Sequence, residues 1–188
     1  SEQSKSRAKI LIQKNLKWDD KKFEKYQELF YPSYWLTVDV QTHLFHSNLL
    51  ERFYQNKNPL HLDLTETEDS RSTMLTIITQ DHPGLFSRIA GAVTMAGCQV
   101  VYARINTRKD GTILDEFMIQ TLEKSSVKEP ETLFRIKKMI DDTLAGKIIL
   151  AEQLGKKTKP ISKRQKAMLT VPRVTITNQM SNTHTVLE

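Results

Sequence analysis

The sequence holds a single cysteine, Cys98. One thiol excludes any intramolecular disulfide, so the fold must stand on its core, as in a reducing compartment. Cys98 follows an apolar-periodic run and sits among apolar neighbours, which points to a small buried residue rather than a nucleophile. No apolar run approaches the roughly 20 residues of a membrane span. No secretory leader pattern opens the chain, because its first 25 residues are too charged. A cytoplasmic protein with no membrane partner is therefore expected. Acidic residues are missing from 155 to 173, where Lys156, Lys157, Lys159, Lys163, Arg164, Lys166 and Arg173 account for much of the net charge of +6. Such a run either meets an anionic partner or is a solvated linker, and the linker is the simpler reading.

Metal and catalytic patterns are also scarce. The five histidines are His43, His46, His61, His82 and His184. Only His43 and His46 are close, three apart on a helical pattern. Two ligands without a third and fourth do not make a metal centre, so packing or exposed histidines are expected. There is no Gly-Ser loop followed by paired aspartates, as two-metal nucleotidyl transfer would need.

What is present divides the 188 residues in three. Residues 1–71 read as a helical arm from a preceding domain plus a strand. In it, "WDDKKFEKYQELFYPSYWL" carries Phe23, Tyr26 and Phe30 at helical spacing, with Asp19 or Asp20 as cap and Pro32 as limit. "DVQTHLFHSNLLERFYQ" is a second helical pattern, and "NPLHLDLTETED" alternates Leu60, Leu62 and Leu64 as a strand does. The arm shows no complete core of its own.

From 72 to 177 the pattern is strand, helix, strand, strand, helix, strand. The strands are "STMLTIITQ", "QVVYARINTR", "TILDEFMIQTL" and, after a basic linker at about 155–166, "AMLTVPRVTIT". Pro83 is expected at the first position of the first helix and Gly97 just past its end. Asp110-Gly111 marks a hairpin turn. The second helix runs from Pro130 to Gly146, with "KIILAEQLG" as a possible extension. This order predicts an α+β fold of ferredoxin-like βαββαβ topology, two helices on one sheet face, the other face covered by a partner domain or subunit. Residues 178–188 begin another strand, read as the start of a truncated second domain; Leu187 and Glu188 are either native or a cloning remainder.

The stretch "TQDHPGLFSRIAGAVTMAG" (79–97) carries the candidate site. A tight strand-to-helix loop frees backbone N–H groups at the helix start, and the helix dipole favours an anion there. The donors would be those of Gly84, Leu85 and Phe86, with Gly84 allowing close approach. Asp81 stands ready to accept from an ammonium group. Together these suit a free α-amino acid; the plainer alternative is that Asp81 caps the helix and nothing binds. Asp115 shares a strand face with Phe117 and Ile119, and Arg104 on the paired strand is its expected partner.

The strings "D-x-PGLF-x-RIAGA" and "ARI-x-T-x-x-DG-x-x-LD-x-F" within 81–120 resemble an ACT domain, and more narrowly the first ACT domain of bacterial PII uridylyltransferase/uridylyl-removing enzymes. "YPSYWL" and "VPRVTITNQMSNTHTV" extend the resemblance over most of the chain. It implies a parent with a nucleotidyltransferase domain using magnesium, an HD-type hydrolase domain and two ACT domains, acting on the PII protein and responding to glutamine. No catalytic motif and no cofactor of this kind falls within the chain. ACT domains bind amino acids between two domains. The resemblance places Asp81, Pro83, Gly84 and Leu85 on one side, and Gln99 and Val100 on the side offered to an adjoining ACT domain or subunit. Gln99 stands where many amino-acid binders have Asn, and His82 where this enzyme family commonly has Arg. Two alternatives remain: an ACT module that only dimerises or scaffolds, and a basic sheet that binds RNA. The latter is disfavoured because Tyr102 and Phe117 are the sole aromatic residues on the two strands concerned.

Overall fold

The computed structural model describes residues 2–56, 58–67, 70–149, 176–177 and 186–187. They fall into two units, Ser1–Leu154 and Gly155–Glu188. The second unit contributes one short antiparallel pair, Ile176–Thr177 with Val186–Leu187. The rest of the expected fourth strand, the basic linker and most of 178–188 lie outside the described residues.

The first unit is α+β. Four helices come first: α1 (Glu2–Leu16), α2 (Asp20–Glu28), α3 (Pro32–Thr37) and α4 (Val40–Asn56). Then follow β1 (Leu60–Glu66), β2 (Thr73–Gln80), α5 (Leu85–Met95), β3 (Cys98–Arg104), β4 (Thr112–Thr121) and α6 (Pro130–Leu144). The sheet is antiparallel throughout, in the order β1-β2-β4-β3. This is compatible with a ferredoxin-like ACT fold, with one difference from the expected order. The edge beside β2, which a strand after α6 was expected to fill, is taken by β1. The alternating leucines of β1 explain why: Leu60, Leu62 and Leu64 pack into the core formed by α5, α6 and the sheet. An edge already paired cannot accept a second strand.

Alternation sorts β2 and β4 cleanly. Leu75, Ile77, Ile113, Phe117 and Ile119 face α5 and α6, packing on Ile89, Val93, Ile136 and Ile140. Ile78 and Leu114 point to the opposite face and join an aromatic core with Phe23, Tyr26, Phe30, Tyr34, Trp35 and Phe53. The cover expected from a partner is thus supplied by residues 2–56 of the same chain. The arm has a core, and the sheet completes it.

Local chemistry sets the element ends. Asp19 caps α2, its carboxylate accepting the Lys22 N–H at 2.7 Å. Pro32 opens α3 rather than merely ending α2. Helix α6 stops at Leu144 and does not run on into 145–149. Gly146 takes φ +73°, and the Lys147 N–H folds back to the Asp142 carbonyl at 2.8 Å, closing the end.

Buried polar groups tie the arm to the sheet. Glu116 Oε2 accepts from Arg104 at 2.9 Å, and its Oε1 lies 3.4 Å from His46 Nε2. Tyr34 Oη and His46 Nδ1 are 3.0 Å apart. Burial pushes the Glu116 carboxyl up, yet His46 and Arg104 together hold it below the usual glutamate value. Arg104 therefore pairs with Glu116, not with Asp115. The register places Arg104 directly opposite Glu116, and Asp115 points through the other face. At the hairpin turn, the Lys109 N–H donates to the Leu29 carbonyl at 2.9 Å, so the arm grips the turn through backbone as well.

Candidate functional site

Helix α5 begins two residues later than its proline suggests. Gly84 is the N-cap, with φ +76° and ψ +11°, so Pro83 lies just outside the helix. A left-handed residue cannot be part of the first turn, and this shifts the start to Leu85. The Leu85 N–H is committed to the His82 carbonyl at 3.2 Å. Among the described residues, the N–H groups of Gly84, Phe86 and Ser87 have no protein acceptor. The donor set is therefore Gly84, Phe86 and Ser87, not Gly84, Leu85 and Phe86. The Ser87 hydroxyl donates back to the Gly84 carbonyl at 2.8 Å, holding the turn.

Two of these donor residues, Gly84 and Phe86, border a cleft of about 440 Å³ lined also by Asp81, His82, Pro83, Leu85, Ile105, Thr107, Ile113 and Asp115. That volume lies in the range of small-molecule sites. The hairpin turn fixes Asp81, whose N–H donates to the Gly111 carbonyl at 2.8 Å. Five sequence-picked residues, Asp81, Pro83, Gly84, Leu85 and Phe86, meet here. Leu85 is buried in the core beneath the loop, while Phe86 is half exposed with its ring 5.6 Å from that of Phe117.

Gln99 and Val100 are elsewhere. Strand β3 runs parallel to β2, so its start lies at the opposite end of the sheet. Val100 pairs with Ile119, which also pairs with Thr73. At about 3.3 Å per residue, Gln99 and Asp81 are on the order of 30 Å apart along the sheet. Within one domain they cannot contact one ligand. The Gln99 side chain donates weakly, at 3.4 Å, to the Thr121 carbonyl.

Asp115 is the residue whose role changes. It is 3 % exposed and lines the cleft. Its Oδ1 accepts the Asn106 N–H at 3.0 Å. Burial raises its pKa to about 6, and the Asp81 charge adds to the rise. The cleft thus pairs unpartnered N–H donors at a helix start with two carboxylates. That combination can hold a zwitterion: N–H groups on the anionic end, carboxylates on the cationic end. The sequence signal was available, since strict alternation puts Asp115 on the same face as Ile113 and Phe117. The missing step was that Arg104 belongs to the other face.

Substituting Gly84 tests the turn. A Cβ there would meet Ser87 Oγ at 3.6 Å, an ordinary contact, so space is not the obstacle. The left-handed φ is. Gly84→Ala is expected to cost about 1–2 kcal/mol in urea unfolding and to leave the secondary structure unchanged.

Elsewhere, His43 and His46 are fully buried, His43 stacked on Trp35 with centroids 4.7 Å apart. Among the described residues no cluster of three or more metal-ligating side chains exists. Cys98 is buried, and burial raises its thiol pKa. Phe117 is fully buried, which leaves Tyr102 alone for any base stacking on these strands. Among the described residues no helix is long and apolar enough to cross a membrane.

No protein-family model matches the chain. Curated relatives do match. The chain is 37% identical over 171 residues to a bifunctional uridylyltransferase/uridylyl-removing enzyme of Rhodospirillum rubrum, covering 91% of this chain and 18% of that protein. It is 35% identical over 166 residues to the enzyme so named in Gluconobacter oxydans, covering 88% and 18%. The Azospirillum brasilense enzyme of that name is 35% identical over 172 residues, again 91% and 18%. The chain is therefore homologous, over about nine-tenths of its length, to a segment spanning 18% of such enzymes.

Proposed function

We propose that this chain, as kin to one segment of bifunctional uridylyltransferase/uridylyl-removing enzymes, is an amino-acid-sensing regulatory segment with glutamine as its ligand. The observation that carries the reading is the cleft at the start of α5, where the unpartnered N–H groups of Gly84 and Phe86 border the same space as Asp81 and Asp115. The N–H groups take the ligand's carboxylate, and Asp81 with Asp115 takes its ammonium. Pro83 and Gly84 shape the loop, and Leu85 anchors it to the core. Gln99 and Val100 serve a second site edge, offered to an adjoining ACT domain or another subunit, because they lie too far from Asp81 to share its ligand.

The regulation is linkage. Ligand held between two such domains favours one arrangement of the pair, and that arrangement biases which activity of the parent enzyme is competent. On this reading the substrate is the PII signalling protein. The magnesium needed for nucleotidyl transfer belongs to a catalytic domain outside this chain.

Calorimetric titration with L-glutamine, beside L-glutamate, L-serine and L-isoleucine, tests the site. Saturable heat with glutamine is expected, lost in Asp81→Ala and weakened as pH falls through about 6, where Asp115 takes up a proton and loses its charge. Absence of saturable heat, both here and in a longer chain containing the neighbouring domain, would overturn the sensor reading.

A further inference from the structure

A second cleft, of about 380 Å³, opens between α2, α4 and the Arg108–Gly111 turn. It shares no lining residue with the amino-acid cleft. Its walls are largely rings and aliphatic side chains: Trp18, Tyr26 and Tyr54, with Leu29 and Leu50. Its charged residues are Lys22, Lys25 and Arg108 against the single carboxylate of Glu51. Glu51 is already engaged by Lys22 at 2.5 Å and by the Trp18 indole N–H at 3.4 Å. Lys22 also lies 4.7 Å from the Trp18 ring centroid.

Two further cations face the cleft, one of them unpaired among the described residues. Lys25 is exposed and has no acidic partner among the described residues. Arg108 is 3 % exposed, sandwiched near the Phe30 and Tyr54 rings at 5.1 and 5.7 Å. Its Nη1 donates to Tyr54 Oη and lies 3.4 Å from Asp110, while its Nε has no partner. A buried guanidinium with one long ion pair is incompletely compensated. Arg108 and the rings alone would suffice to fasten the turn. They do not explain an unpaired Lys25 placed three residues after Lys22, on the same helix face, beside an open aromatic slot. Flat rings favour a planar π-system, and unmatched cations favour an anion of high charge density.

We propose that this cleft is a second small-ligand site, which takes a planar heteroaromatic ring carrying a phosphate, the chemistry of a nucleoside monophosphate. The ring lies against Trp18 and Tyr54, and Lys25 with Arg108 meets the phosphate.

The test is calorimetry on the whole chain at low ionic strength with adenosine monophosphate as probe. Adenosine supplies the ring alone and inorganic phosphate the anion alone. Saturable, one-to-one binding of the monophosphate is expected, at least tenfold tighter than either part. Lys25→Glu reverses an exposed charge that makes no ion pair among the described residues, and is expected to weaken binding at least tenfold. Gln55→Trp, which fills the mouth, is expected to do the same, with circular dichroism and glutamine heat unchanged in both variants. No saturable binding at millimolar monophosphate, phosphate binding as tightly as the nucleotide, or full binding by Lys25→Glu would each overturn the proposal. Because the amino-acid cleft is read out separately, failure here leaves the glutamine result standing, and the reverse holds too.

Discussion

Replacing Trp35 by alanine is expected to remove about 3–5 kcal/mol of stability, the usual range for a fully packed aromatic. Trp35 is 4 % exposed. Its ring lies within 6.2 Å, centroid to centroid, of Phe23, Tyr26, Phe30, Tyr34 and His43, so its loss leaves a void at the hub of the arm. A domain of ordinary stability has roughly 5–15 kcal/mol in total, which makes this a large fraction. The change also uncovers His43. Burial, with the neighbouring His46 adding to the effect, lowers its pKa to about 4 and keeps it neutral. Urea unfolding followed by far-ultraviolet circular dichroism checks the outcome. The midpoint is expected to fall in a single transition with unchanged slope, because Ile78 and Leu114 make the arm and sheet share one core. Two separated transitions would show that the arm unfolds by itself.

Asp115→Asn is expected to act in the opposite direction. With its pKa raised to about 6 from 3.8, the folded state holds a proton that the unfolded chain releases. Between those values stability grows as pH falls, and at neutral pH the ionised carboxylate costs on the order of 2–3 kcal/mol. An asparagine keeps an acceptor for the Asn106 N–H and carries no charge, so the variant is expected to be more stable at pH 7 by up to that amount. The same substitution removes half of the carboxylate pair and is expected to weaken amino-acid binding. His43 has the reverse sign. Its lowered pKa means that the unfolded chain takes up the proton first, so stability is lost as pH falls from about 6.5 towards 4. His61 is also lowered, mainly by burial, and adds to that loss. In the parent chain the Asp115 and His43 effects oppose one another and flatten the profile between pH 4 and 6.5. On acidification the parent's Asp115 takes up its proton and its penalty disappears, while the histidine losses are common to both chains, so the variant's stability advantage is expected to shrink steadily. Melting temperatures at pH 7.5, 6 and 5 check this. An advantage that stays constant across the three would mean that Asp115 is not the opposing group.

The periodic elements of residues 72–144 were legible in the sequence because each carries its own punctuation. Gly97 and Gly146 end helices, Pro130 starts one, and Asp110-Gly111 turns a hairpin. Helix α1 was not legible. Its charged composition hides a narrow stripe, and among its described side chains only Ala8 and Ile12 are buried. The arm's role was missed for a related reason. Phe23, Tyr26 and Phe30 were visible as a helix face, but nothing local says that their partner is a sheet face beginning some fifty residues later. Strand β1 was recognised as a strand but given no place in the sheet, since alternation reveals a face and not a neighbour. In the site, the loop residues came straight from the strand-to-helix pattern. Asp115 came only with the register, which decides which of two adjacent carboxylates meets Arg104.

The strand order has a consequence for how the chain folds. The pairings β1–β2 and β3–β4 are hairpins closed by the short connections 67–72 and 105–111, and only β2–β4 joins segments distant in sequence. Loop-closure entropy is therefore small for two of the three pairings, which lowers the contact order and favours fast nucleation. Had the edge been filled by a strand after α6, the sheet would have waited for residues beyond 144. With β1 in that place, a chain emerging from the ribosome has every strand of the sheet in hand by Thr121, and α6 needs only to dock on a surface already built.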